Sequence, residues 1–78
     1  MADVTVRYWA GARAAAGRDD ERLTAGSTDE LVRDLSGRAE LARVLAVSSL
    51  LVDGRVVRGD VPLADGQVVE VLPPFAGG

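Results

Sequence analysis

Hydrophobic and polar residues alternate strictly near the start of the chain, which is the pattern of a half-buried β-strand. Residues 4–9 read Val-Thr-Val-Arg-Tyr-Trp. Because successive side chains of a strand point to opposite faces, Trp9 is expected on the polar face together with Arg7. Three side chains are expected to face the core: Val4, Val6 and Tyr8.

Three later segments carry helical patterns. Residues 10–16 are alanine-rich and are closed by Gly17, which predicts a short helix with a glycine C-cap. Ser27-Thr28 followed by two acids predicts the start of a second helix, which Gly37 should end. The apolar spacing in residues 39–46 predicts a third helix. The apolar side chains that should share a face in the last two helices are Leu31, Val32 and Leu35, and then Leu41, Val44 and Leu45.

The remaining apolar runs predict strands. Residues 21–24 suit a brief edge strand. Asp53-Gly54 lies between two predicted strands, residues 50–52 and 56–58, and predicts a hairpin, because Asp-Gly tolerates positive φ. Residues 67–72 are apolar except at Gln67 and Glu70, which favours a central strand. The order strand, helix, strand, two helices and three strands predicts an α+β fold, with the helices on one face of a mixed sheet of about five strands.

The amino-acid composition excludes several kinds of functional site and partner. The 78 residues suit one domain, with 47% hydrophobic and 27% charged residues. The chain contains no cysteine and no histidine, which excludes disulfides, thiolate metal sites, and the commonest general base and zinc ligand. A net charge of −3 without a basic cluster predicts no nucleic-acid partner. Short apolar runs and the lack of a signal peptide predict no membrane partner and a cytoplasmic location.

The end of the chain is its most informative segment. Two prolines, Pro73 and Pro74, should stop the last strand, because they lack N–H groups, and should favour an extended arm. Phe75-Ala76-Gly77-Gly78 follows, and no side chain from Leu72 onward is charged. We therefore expect a domain over residues 1–72 and a projecting tail over residues 73–78, with the carboxylate of Gly78 at its tip.

Each residue type in this tail suits entry into the channel of an enzyme. Gly77 and Gly78 have no Cβ, so a channel can close around the backbone and a nucleophile can reach the carbonyl carbon. The prolines reduce the conformational entropy that is lost on binding, and Phe75 can anchor in an apolar pocket. An inert, frayed terminus is the alternative, because terminal glycines alone are a weak signal.

Three segments make the sequence resemble the small subunit of molybdopterin synthase. They are Tyr8-Trp9-Ala10-Gly11-Ala12-Arg13, Leu63-Ala64-Asp65-Gly66-Gln67-Val68, and Leu72-Pro73-Pro74-Phe75-Ala76-Gly77-Gly78. The resemblance covers essentially the whole chain and implies the ubiquitin-like β-grasp fold. The sequence departs from the family pattern at Asp53, where Asn is frequent, at Gln67, where an acid is frequent, and at Asp29, where an apolar residue is usual.

The resemblance implies a non-catalytic sulfur-donor subunit. An E1-like enzyme would use ATP to adenylate the carboxylate of Gly78, and sulfur from a persulfide donor would displace AMP to leave a thiocarboxylate. The tail would then enter the large synthase subunit, which supplies the catalytic residues, and pass its sulfur to cyclic pyranopterin monophosphate for the molybdenum cofactor. Two small and two large subunits would form a heterotetramer. No cofactor is expected to bind this chain directly.

The resemblance and the alternation together define a candidate partner-binding surface. The family pairs its first and last strands, so Trp9 and Leu72 should lie side by side where the tail leaves, and Arg13 matches a family arginine near this surface. Burial of Trp9 in the core and an arginine that is merely solvated are the alternatives. The expected partner-binding residues are Trp9, Arg13, Leu72, Pro73, Pro74, Phe75 and Ala76, the reactive residues are Gly77 and Gly78, and no metal ligands are expected.

Three other functions stay open at this point. A related sulfur carrier could serve thiazole or cysteine biosynthesis, although residues 9–17 and the Pro-Pro-Phe segment favour the molybdopterin interpretation. A ubiquitin-like modifier would instead be conjugated through Gly78 to lysines of its targets. A β-grasp interaction module would have an inert tail. A stand-alone enzyme is least supported, because no pair of acids is visibly placed for acid–base catalysis.

Overall fold

Residues 1–74, the part of the chain that the computed structural model describes, form five strands and three helices. In chain order they are β1 Ala2–Tyr8, α1 Gly11–Ala16, β2 Asp20–Ala25, α2 Thr28–Leu35, α3 Ala39–Leu45, β3 Ser49–Val52, β4 Arg55–Val57 and β5 Val68–Leu72. None of these helices is long and apolar enough to cross a bilayer. Every element predicted from the sequence is therefore present, in the predicted order.

The strands form one mixed sheet in the order β2-β1-β5-β3-β4. The two central strands, β1 and β5, are parallel, and all other neighbours are antiparallel. The nearly continuous apolar character of β5 correctly predicted its central position, because this strand has a neighbour on each side. The sheet order, with the helices on one face, is the ubiquitin-like β-grasp fold that the resemblance implied.

The core lies between the sheet and the helices. As the alternation predicted, Val4, Val6 and Tyr8 of β1 are buried, and Val69 and Val71 of β5 lie beside them. The helices cover this face of the sheet with five buried apolar side chains: Ala12, Leu31, Leu35, Leu41 and Leu45. The other face of the sheet carries no helix from residues 1–74, and we call it the open face.

Local signals in the sequence determine most element boundaries. Ser27 caps α2, because its Oγ accepts the Glu30 N–H at 3.3 Å, while Glu30 Oε2 accepts the Gly26 N–H at 3.2 Å. Gly17 ends α1 in the left-handed region with φ 75°. The β3–β4 hairpin turns through Asp53-Gly54, and its two positive φ angles, 50° and 83°, are typical of a type I′ turn.

Most element boundaries differ from the prediction by one or two residues, and two of these differences have an identifiable local cause. Helix α2 ends at Leu35 rather than at Gly37, because the following turn is closed by shorter-range bonds from the Gly37 N–H to Asp34 and from the Arg38 N–H to Leu35. Strand β4 covers Arg55–Val57, one residue earlier than predicted, because the two-residue turn leaves Arg55 paired with Val52. Neither shift changes which side chains face the core.

Two departures from the family pattern meet in the structure. Gln67 Nε2 donates to Asp53 Oδ2 at 3.2 Å, and Asp53 Oδ1 accepts the Val68 N–H at 3.0 Å. Gln67 Oε1 also accepts the Ala64 N–H at 2.8 Å. An ionised carboxylate at position 53 can only accept hydrogen bonds, and an ionised acid at position 67 could not donate one to it. The amide at position 67 therefore compensates for the acid at position 53.

Candidate functional site

The end of β5, where the tail leaves the domain, lies beside the end of β1. Tyr8 pairs with Val71, and the Trp9 N–H donates to the Val71 carbonyl at 3.2 Å. This bond extends the parallel pairing by one step and makes Trp9 the neighbour of Leu72 in register. The sequence-predicted adjacency of these two residues is therefore present. The predicted site residues Phe75, Ala76, Gly77 and Gly78 lie outside the described residues.

Trp9 lies on the open face of the sheet and not in the core. The residue is 41% exposed, and its Nε1–H donates to Glu70 Oε2 at 2.8 Å. Glu70 pairs with Arg7 across the strands, and both project from the face opposite to the buried Val69 and Val71. The carboxylate therefore holds the indole against the sheet beside the base of the tail.

The other predicted contact residues differ in exposure. Leu72 is half-buried, Pro73 is buried, and Pro74 is the first exposed residue of the tail segment. Arg13, on α1, lines the same open depression as Trp9, and its Nη1 lies 3.7 Å from Asp19 Oδ1. Because both partners are exposed, this ion pair contributes little stability, and the guanidinium remains accessible to a partner.

The chain passes from Trp9 into α1 through a strained turn. Ala10 has φ 47° and ψ −123°, and the Ala12 N–H donates to the Trp9 carbonyl at 2.9 Å. These values describe a type II′ turn, whose first central position ordinarily takes glycine. A non-glycine residue in such a region costs about 1–3 kcal/mol. The strain therefore lies directly beside the residue that the sequence nominates for partner binding.

We expect Ala10→Gly to stabilise the free protein by about 1 kcal/mol, because relief of the strain exceeds the added entropy of the unfolded chain. Urea unfolding followed by Trp9 fluorescence measures the change. Ala14→Gly, at an exposed position inside α1, is the control and should instead lose about 1 kcal/mol. Equal losses for both variants would show that Ala10 is not strained.

A polar cluster that the sequence analysis missed fixes the end of β1 on the core side. Tyr8 Oη donates to Glu21 Oε2 at 2.7 Å, and the Arg38 guanidinium donates to both Glu21 oxygens at 2.8 Å each. Glu21 pairs with Val6 and therefore shares its face, and its side chain is only 7% exposed. The alternation of Glu21 with Leu23 in β2 was the available signal. The cluster connects β1, β2 and the α2–α3 turn.

The electrostatics of this cluster follow from its hydrogen bonds. The Arg38 guanidinium lowers the pKa of Glu21 to about 2 by bonding to the charged carboxylate, and the Tyr8 hydroxyl acts in the same direction against the opposing effect of burial. Burial raises the pKa of Tyr8, and its bond to Glu21 raises it further. Both groups are therefore held in their neutral-pH forms, with Glu21 charged and Tyr8 protonated.

We expect the stability to fall at both ends of the pH range. The Glu21 contribution is complete above its ordinary pKa of 4.5 and is lost as the pH falls towards 2, at a cost of about 2 kcal/mol after allowance for the solvent exposure of Arg38. The raised pKa of Tyr8 removes stability above pH 10, where only the unfolded tyrosine ionises. Chemical denaturation from pH 2 to 11 tests both limbs. If the Glu21→Gln variant lost as much stability at acid pH as the unchanged chain does, the assignment would be contradicted.

The side chains gathered at the tail exit can bind and orient a partner. They comprise an indole, an aliphatic side chain, two guanidinium groups and a carboxylate: Trp9, Leu72, Arg7, Arg13 and Glu70. Among residues 1–74, no three potential metal ligands of the carboxylate, imidazole or thiolate type come together.

Comparisons with known proteins agree with this architecture. The chain is 30% identical to a putative molybdopterin converting factor subunit 1 from Pyrococcus furiosus, over 96% of this chain and 100% of that one, with a TM-score of 0.84. It is 26% identical to a chain in the complex of subunits 1 and 2 of the molybdopterin-converting factor from Helicobacter pylori 26695, over 97% and 99%, with a TM-score of 0.80.

A third structure shares the fold. The small archaeal modifier protein 1 from Methanosarcina acetivorans is 24% identical, with 100% of this chain and 98% of that chain covered and a TM-score of 0.84. No curated protein matches the sequence. The family model that matches the chain covers residues 6–78, from the end of β1 to the glycine tail. The chain therefore belongs to the ThiS family.

Proposed function

We propose that this chain is the sulfur-donating small subunit of a molybdopterin synthase. The observation that carries the proposal is the continuity of a central strand with the tail. Strand β5 pairs with β1 as far as Val71 and with β3 as far as Leu72, and it leads directly into Pro-Pro-Phe-Ala-Gly-Gly. The similarity to subunit 1 of the Helicobacter pylori molybdopterin-converting factor, which is described in complex with subunit 2, supports a large-subunit partner.

The proposed chemistry takes place at Gly78. An E1-like enzyme transfers AMP from ATP to the Gly78 carboxylate, which makes its carbonyl carbon electrophilic, with pyrophosphate as the leaving group. The outer sulfur of a donor persulfide then displaces AMP to form an acyl disulfide, and a second cysteine thiol of the activating or donor enzyme cleaves its S–S bond. This cleavage releases the thiocarboxylate on Gly78 and leaves a disulfide on the enzyme. The large subunit would direct this sulfur to cyclic pyranopterin monophosphate. The chain itself supplies the carrier group and leaves catalysis to its partners.

The described residues have a presenting role in this proposal. Parallel pairing with β1 holds β5 from Val68 to Val71, and burial of Pro73 sets the direction in which the chain continues. Trp9 and Leu72 offer apolar surface next to that point. A partner can therefore bind the sheet at the base of the tail while the tail enters the partner's active site.

Alkylation and mass spectrometry test the proposal. The chain is incubated with an E1-like enzyme, ATP and a persulfide donor, treated with iodoacetamide and fragmented. Because the chain has no cysteine, we expect an ATP-dependent label on Gly78, and fragmentation separates it from modification of the single methionine, Met1. Omission of ATP is the control. No label, with enzymes that label a known carrier, would contradict the proposal.

Two neighbouring functions fit the same family and fold. A carrier for thiazole or cysteine biosynthesis would form the same thiocarboxylate but would not bind a large synthase subunit. The fold shared with the archaeal modifier protein makes conjugation to target lysines a second candidate. Isopeptide-linked adducts of Gly78 in a lysate would favour the modifier, whereas stable binding to the large subunit would favour the synthase.

A further inference from the structure

The open face of the sheet is divided into a charged half and an apolar half. Cross-strand pairing gives one row across the sheet: Asp20 on β2, Arg7 on β1, Glu70 on β5, Leu51 on β3 and Val56 on β4. The first three are charged and the last two are apolar. Trp9 and Leu72 continue the apolar half beside the tail. We call Trp9, Leu72, Leu51 and Val56 the apolar strip.

Two features of the apolar strip are typical of a docking surface. Val56 is 59% exposed and Trp9 is 41% exposed, while Leu51 and Leu72 are half-buried. The strip also begins where the proposed carrier tail leaves the domain. A partner that takes the tail can therefore cover the strip in the same contact.

Glu70 is the charged residue of this row that pairs with Leu51, and it also contacts Trp9. Among residues 1–74 its carboxylate accepts a hydrogen bond only from the Trp9 indole, and it forms no ion pair with Arg7. Arg7 is flanked by Asp20 on its other side, so the row carries two carboxylates and one guanidinium. This row therefore has a net charge of −1, and Glu70 is its charged residue next to the apolar half.

A partner that covers the apolar strip must also desolvate this carboxylate. The desolvation of a charge is unfavourable unless the covering surface supplies an opposite charge. A second copy of this chain would bring another Glu70 to the same face and, with a net charge of −3 on each chain, would add repulsion. The charge pattern thus selects an apolar surface that carries a cationic side chain.

We infer that Glu70 is a specificity-determining residue of the docking surface: it positions the Trp9 indole and pairs with an arginine or lysine of the large synthase subunit. The inference rests on the proposed function and deepens it. The indole supplies the apolar anchor, and the carboxylate that holds it also selects the partner by charge. Closure of the partner over both residues strengthens the ion pair, because water is excluded from it.

Glu70→Gln tests this inference, because the amide oxygen still accepts the indole bond but the charge is gone. We expect binding to the large synthase subunit of the same organism to weaken about thirtyfold, and the decline of affinity with added salt to become shallower. Glu40→Gln is the matched control: it removes the same charge from an exposed position on α3, on the helix side, and should change neither value.

The indole N–H signal provides a second readout, because Trp9 is the only tryptophan. In the ¹H–¹⁵N spectrum of the free chain, Glu70→Leu should move this signal much further than Glu70→Gln does. Equal affinity and equal salt dependence for Glu70→Gln and the unchanged chain would overturn the inference alone. Failure of the unchanged chain to bind the large subunit would overturn the proposed function as well. Self-association through the strip would overturn the assignment of the partner.

Discussion

Deletion of Gly77 and Gly78 is expected to reduce thiocarboxylate formation at least a hundredfold and to leave the fold intact. The deletion shortens the tail by about 7 Å, so its carboxylate no longer reaches the position that the activating enzyme holds. The new terminal residue, Ala76, also carries a Cβ that a channel shaped for glycine excludes. Iodoacetamide labelling of the C-terminal residue measures the loss.

Two comparisons make this deletion informative. Ala76→Gly keeps the length of the tail and its terminal glycine pair, and it should retain most of the activity. The unfolding free energy of the deletion variant should match that of the full chain, because β5 ends at Leu72, before the deleted residues. Efficient labelling of the shortened chain at Ala76 would contradict a role for the glycine pair.

Glu21→Ala is expected to cause the largest loss of stability, about 3 kcal/mol. The substitution leaves the buried Tyr8 hydroxyl without its acceptor and removes both bonds from Arg38. Because Arg38 is 44% exposed, water solvates its released guanidinium, and most of the cost comes from Tyr8 and the lost packing. For a domain of this size the melting temperature should fall by about 10–20 °C.

Calorimetry on three variants separates the parts of this effect. Glu21→Gln retains an acceptor for Tyr8 and loses the charge, so about half of the loss is expected. Asp34→Asn, at an exposed position on α2, is the control and should change the stability by less than about 0.5 kcal/mol. If the Glu21→Ala variant had the same melting temperature as the control, the cluster would not support the end of β1.

The polar cluster of Tyr8, Glu21 and Arg38 is connected to the docking surface by the backbone of β1. Tyr8 lies on the core side and Trp9 follows it on the open side, so a change that loosens Tyr8 also loosens the backbone that carries the indole. We therefore regard the Tyr8–Glu21–Arg38 cluster as a support for the base of the partner-binding surface. Tyr8 is buried and Glu21 is nearly so, which means that the cluster supports this surface from the core side of the sheet.

Local sequence signals were sufficient for the elements and their faces. The alternation in residues 4–9 correctly placed Val4, Val6 and Tyr8 in the core, because side chains of a strand alternate whatever the neighbouring strands are. Asp53-Gly54 correctly predicted the hairpin turn, since Asp and Gly tolerate the positive φ angles that this turn requires. The apolar run that ends at Leu72 correctly predicted a central strand, because only such a strand is covered by neighbours along both edges.

Contacts between distant segments could not be predicted in the same way. The bond between Trp9 and Glu70 spans 61 positions in the chain and exists because β1 and β5 pair in parallel with Tyr8 beside Val71. The compensation between Asp53 and Gln67 likewise depends on the β3–β5 register. A shift of one residue in either register would move these side chains to the opposite face.

The sequence by itself thus determined the α+β class, the order of the elements, the core faces and the glycine tail, because each depends on residues close together in the chain. The tertiary structure alone decided which charges meet: Glu21 with Arg38 in the core-side cluster, and Glu70 with the Trp9 indole on the open face. Hydrogen bonds act over about 3 Å, so their partners are defined only when the strand order and the register are defined.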